Sequence, residues 1–149
     1  MGRMSTKYRV QNPKNNEIVE SFDFITDDAL ETALTTANDT FKQWREKSFE
    51  ERAEVLRKVA KLFDEQRVEL TRIIAEEMGK SVKEGDGEIN DVVEIFNYYA
   101  DHGAEFGADE EIPNQRGGTS VMRKVPLGVI LGIMPVSYTH LRAHETVLD

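Results

Sequence analysis

The chain has no cysteine among its 149 residues. That excludes a disulfide framework, a thiolate zinc site and a cysteine nucleophile within this stretch. Nor does it hold an apolar run near the ~20 residues that a membrane-spanning helix requires. Its opening, MGRMSTKYRV, lacks the apolar segment of a secretory signal, so a cytoplasmic protein with no membrane partner is expected. Positive charge is scarce: 19 Lys and Arg stand against 28 Asp and Glu, a net charge of −9. Without a basic stripe, no nucleic-acid partner is expected. The charges alternate in sign along the chain, which describes a solvated surface.

What is present is periodic. Tyr8–Val10 and Glu17–Phe22 are extended runs on either side of Asn12-Pro13 and Asn15-Asn16. These are turn residues, since Asn tolerates φ > 0 and Pro fixes φ, so a β-hairpin is expected. Thr26 caps a first helix whose Leu30, Ala33, Leu34, Ala37, Phe41 and Trp44 recur at helical spacing. Trp44 is expected to pack at the end of that stripe. Ser48 and Glu51 stand in capping-box register before a second helical stretch that runs to Met78, with Gly79 as its terminator. Its apolar phase slips near Asp64–Arg67, where a break is expected. A third stretch, SVKEGDGEINDVVEIFNYYADHGAEFG, presents Ile89, Val92, Val93, Phe96, Tyr99 and Ala100 as its buried face. Gly85 and Gly87 weaken its first turns or let another helix approach.

The period then changes. Arg116-Gly117-Gly118 is a turn, and Thr119–Val125 alternates as a strand does. Gly128–Met134 is a nearly continuous apolar run, the pattern of a strand covered on both faces of a parallel sheet. Helices followed by such a strand indicate an α/β fold whose sheet is only beginning.

Segments in this order resemble the start of the aldehyde dehydrogenase superfamily. KVPLGVILGIMP is similar to the first strand of that family's cofactor-binding sheet, which runs into a Pro-Trp-Asn-Phe-Pro loop. NPKNNEIVESF resembles its Asn-Pro-x-x-Gly-Glu segment, with Asn16 where Gly is usual. FKQWREKSFEERAEVLRKVAKLF resembles its Phe-x-x-Trp…Glu-Arg segment, EEMGKSVKEGDGEI its Glu-x-Gly-Lys segment, and FNYYADHG the helix that follows. The third helical stretch is most similar to the short bacterial succinate-semialdehyde dehydrogenases.

The resemblance implies a truncated N-terminal part of that fold over residues 1–135: a β-hairpin, three to four helices, an oligomerisation strand near 118–124, and the first strand of the cofactor-binding sheet. It implies an oxidoreductase using NAD or NADP to oxidise an aldehyde, succinate semialdehyde by the closest likeness, to the carboxylic acid. The expected partners are that small-molecule aldehyde and further copies of the parent chain, as a dimer or tetramer. Ile133, Met134 and Pro135 would line the cofactor site. The family's catalytic Cys, Glu and Asn match no residue of this chain, so the chain itself is expected to be inactive. A different reading, a helical protein-interaction module without catalysis, rests on the amphipathic helices alone.

After Pro135 the family has Trp and Asn; here stand Val136 and Ser137. Val136–Thr146, VSYTHLRAHET, matches one reading frame of a transposase adapter used in sequencing libraries, an agreement of eleven consecutive residues. Residues 136–149 are therefore read as a non-native read-through tail. His140, His144 and Glu145 lie inside it, and no metal site is expected there. Asp86, Glu88 and Asp91 lack the spacing of a calcium loop and are expected to form a solvated face. His102, near a helix end, favours the helix dipole rather than chemistry.

Overall fold

The computed structural model describes residues 7–115 and 117–133. An antiparallel hairpin comes first, β1 (Lys7–Gln11) with β2 (Ile18–Asp23). Its turn closes as the sequence indicates: the Asn16 N–H donates to the Asn12 carbonyl at 2.8 Å, and the Lys14 N–H to Asn12 Oδ1 at 2.9 Å. Asn16 has φ 62° and is the only described non-glycine residue with positive φ. An asparagine tolerates that region better than other side-chain-bearing residues, which is why it can stand where the related segments carry glycine.

Four helices follow: α1 (Asp27–Trp44), α2 (Phe49–Glu65), α3 (Arg67–Met78) and α4 (Val82–Phe106). Each boundary has a chemical cause. Thr26 accepts from the Ala29 N–H, and Asp27 and Asp28 sit at the positive end of α1. Ser48 and Glu51 form a reciprocal capping box on α2, and Ser81 and Glu84 form another on α4. The expected break falls at Gln66, whose N–H still donates to the Leu62 carbonyl at 3.0 Å. Gly79 ends α3 with φ 72°, in the left-handed region that glycine enters without Cβ strain.

The core lies where α4 packs along α2 and α3. Apart from Ile89 on α4 its buried members are small: Ala53 and Ala60 on α2, Thr71 on α3, and Gly85 and Ala100 on α4. Small side chains let helix axes come close. A Cβ added to Gly85 would stand 3.2 Å from the Thr71 Cγ2 atom, so this glycine sits directly against α3. Phe63 and Phe96 stack at 6.1 Å between ring centres across the α2–α4 seam. Ion pairs bridge the helices at the rim, Arg57 of α2 to Asp101 of α4 at 3.1 Å and Arg67 of α3 to Asp86 of α4 at 3.1 Å. Tyr99, expected on the buried face, is 55% exposed; its ring lies on the outer side of α4 against Tyr98 and Phe106.

Thr71 is 4% exposed, and its hydroxyl has no hydrogen-bond partner among the described residues. A buried hydroxyl without a partner is destabilising, and valine has nearly the same shape. Thr71→Val should therefore leave the melting temperature unchanged or raise it, by up to about 1 kcal/mol of stability. A clear fall in a thermal melt would show that the hydroxyl is bonded after all.

α1 departs from the sequence expectation. Its apolar stripe is helical and amphipathic, yet none of its residues is buried. Leu34 is 51% exposed and Trp44 is 41% exposed. The physical reason is a missing partner, since α1 has no extensive contact with α2, α3 or α4.

After α4, β3 (Glu110–Ile112) pairs antiparallel with β4 (Ser120–Met122). β4 falls inside the strand expected near 118–124, and Gly117 and Gly118, both at positive φ, form part of the turn before it. Arg116 of that turn lies outside the described residues. The expected strand Gly128–Met134 is not formed over its described part: residues 125–133 carry no ladder. A strand exists only with a hydrogen-bonded neighbour, and the described strands pair only as β1–β2 and β3–β4. Met134 lies outside the described residues.

Glu51 gives the fold a pH-sensitive feature. A hydrogen bond from Lys47, then those from the Ser48 backbone and hydroxyl, hold its carboxyl down to about 2, and the same contact raises the Lys47 ammonium. A carboxylate with a depressed folded-state pKa stabilises the fold fully above its ordinary value and loses that contribution as pH falls. The helix signal in circular dichroism should thus decline between pH 4.5 and about 2. Glu69 beside Arg72 and Asp109 beside Arg123 add losses of the same sign. Glu51→Gln should flatten part of this decline; an acid titration identical to that of the parent would exclude Glu51 as a contributor.

Candidate functional site

The residues expected to line a cofactor site follow β4. Arg123 and Lys124 end that hairpin under tight ionic control. Arg123 meets Asp109 at 2.6 Å, while Lys124 meets Glu110 at 2.5 Å and donates to the Phe106 carbonyl at 2.9 Å. The Asp109 carboxyl is held below its ordinary range by the hydrogen bond from Arg123. These contacts pin the start of the apolar segment to the end of α4.

From Val125 onward the segment runs past α1. A Cβ built on Gly128, at φ 108°, would stand 4.0 Å from the Phe41 ring, at the outer edge of van der Waals contact. Ile133 is 81% exposed. Met134 and Pro135 lie outside the described residues. Chemically, Val125–Ile133 offers aliphatic surface and backbone groups, with no titratable side chain. It can form an apolar wall, not a proton-transfer or nucleophilic centre.

A dinucleotide needs, besides such a wall, donors for its phosphates: backbone N–H groups at a helix N-terminus, or free cations. The two cations nearest in sequence, Arg123 and Lys124, are already held by carboxylates. The first turn of α1 carries Asp27 and Asp28, which oppose an anion. The described residues alone do not fit a dinucleotide.

Two of the three acidic residues at 86–91 have structural partners. Asp86 pairs with Arg67, and Glu88 pairs with Lys80. His102 is half exposed, lies against the rings of Tyr98 and Phe106, and approaches Glu105 at 3.6 Å. Among the described residues no group of three or more His, Cys, Asp or Glu is placed to hold a metal ion.

Sequence reasoning missed one arrangement, at the α3–α4 junction. Lys80 has a side chain only 8% exposed, and its ammonium pairs with Glu88 one helix turn beyond the α4 capping box. The preceding Gly79 lies so close to the N-terminal hairpin that a Cβ on it would stand 2.9 Å from the Pro13 ring. The Glu-x-Gly-Lys likeness marked these residues without giving them a task; the structure makes them a joint between hairpin, α3 and α4.

Comparison with known proteins places this arrangement. The model of the aldehyde dehydrogenase family matches residues 2–146. The succinate-semialdehyde dehydrogenase [NADP(+)] of Deinococcus radiodurans is 33% identical over 136 residues, covering 91% of this chain and 28% of that protein. The D-glyceraldehyde dehydrogenase (NADP(+)) of Thermoplasma acidophilum is 27% identical over 137 residues, covering 92% of this chain and 27% of its own length. Among solved structures, succinic semialdehyde dehydrogenase from Streptococcus pyogenes, in complex with NADP+, superposes with a TM-score of 0.72 at 31% identity. That likeness covers 76% of this chain and 25% of the other. The chain thus spans about a quarter of the length of the relatives it matches.

Proposed function

Because the chain belongs to the aldehyde dehydrogenase family, we propose that it is the N-terminal portion of an enzyme that oxidises an aldehyde to the carboxylic acid with NAD or NADP. The observation that carries this reading is the agreement with enzymes named for that activity, over 91% of the chain in sequence and 76% in fold. Succinate semialdehyde is the proposed substrate, because both the Deinococcus and the Streptococcus proteins are named for it. The Thermoplasma relative, named for D-glyceraldehyde, supplies the competing substrate for a test.

Within this reading the chain contributes one wall of the cofactor site through Ile133, Met134 and Pro135, and β4 contributes to assembly as a dimer or tetramer in the cytoplasm. The cofactor would supply hydride acceptance when bound. The residues of this chain would supply apolar surface there, for the chain has no cysteine to serve as the nucleophile. Residues 1–135 are proposed as an incomplete part of the cofactor-binding domain. Residues 136–149 are proposed as foreign to it, on the strength of the adapter-like translation. The family match runs to residue 146, and sequencing across the Met134 codon at the locus separates the two readings. Continuation into Trp-Asn-Phe-Pro supports a foreign tail; continuation into Ser-Tyr-Thr-His refutes it.

The purified chain should not reduce NAD or NADP with either aldehyde, because it has no cysteine to form the covalent intermediate. Steady reduction that follows the chain through purification would overturn that expectation. The enzyme encoded by the complete frame should turn over succinate semialdehyde in preference to D-glyceraldehyde; the reverse order would reject the substrate assignment.

A further inference from the structure

We draw no further inference here: the strongest candidate, the aromatic patch that Tyr98, Tyr99, His102 and Phe106 expose on α4, carries nothing, since nothing in the structure shows what covers it.

Discussion

Gly79→Val should lower the stability of the helical unit by about 2–3 kcal/mol, enough to drop its melting temperature by roughly 10 °C. Two costs combine. The backbone at Gly79 has φ 72°, where a β-branched residue pays for its Cβ. The added carbon would also lie 2.9 Å from the Pro13 ring, so the hairpin turn must move away from α3. The damage should spread, because Lys80 follows directly and its side chain is nearly covered while it pairs with Glu88. A shift of the turn loosens a partly buried ion pair as well as a contact. Gly87→Ala is the control of opposite sign. Gly87 is inside α4, and a Cβ there meets nothing within 4 Å. Alanine should stabilise it by up to about 1 kcal/mol, through helix propensity alone. Thermal melts of the two variants decide the matter. If Gly79→Val melts with the parent chain, the hairpin is not anchored at this joint.

The same joint shows what the sequence could and could not reveal. Local chemistry was legible. Thr26, the Ser48–Glu51 box, the break at Gln66 and the termination at Gly79 all depend on residues within one helical turn of each other. Asn16 announced its positive φ by replacing a glycine. Contacts between distant residues were not legible. Nothing in the string MGKS says that its lysine is covered or that its glycine touches Pro13, because both facts depend on where the hairpin folds back. Tyr99 was misplaced for a related reason. Positions 96 and 99 are three apart and share a helix face in broad terms, yet only Phe96 reaches the α2 seam. The apolar run at 128–134 predicts a strand covered on both faces; over its described residues, 128–133, no strand forms, because a ladder needs a neighbour. For the site, the assignment of Ile133 rests on the family likeness alone, since an aliphatic residue carries no chemical signature of a ligand.

Purified alone, the chain should self-associate, and salt should strengthen that association. The described core is built from alanines and one isoleucine, with Thr71 among them. Many larger side chains that ordinarily anchor a core remain exposed: Phe22 in β2 and Phe24 just after it, Leu34 on α1, Ile130 and Leu131 beyond β4. The hairpin adds open strand edges, which template pairing with other copies. Opposing this is the net charge of −9, which makes copies repel one another. Raising ionic strength shortens the screening length from ~30 Å at 0.01 M to ~8 Å at 0.15 M. The repulsion then fades while apolar burial persists. Light scattering should accordingly report a mean mass that rises with protein concentration and rises further with salt, while circular dichroism still shows helix. Leu30→Glu with Leu34→Glu should reduce the association by removing apolar surface and adding like charge. If the parent chain is a monodisperse monomer at 0.15 M salt with a cooperative melt, the exposed side chains close on each other within one copy, and α1 must pack against the 125–133 segment more completely than the structure shows. If the mass instead falls as salt rises, opposite charges hold the copies together, and the ion pairs at Arg123 and Lys124, not the apolar face, become the contacts to alter.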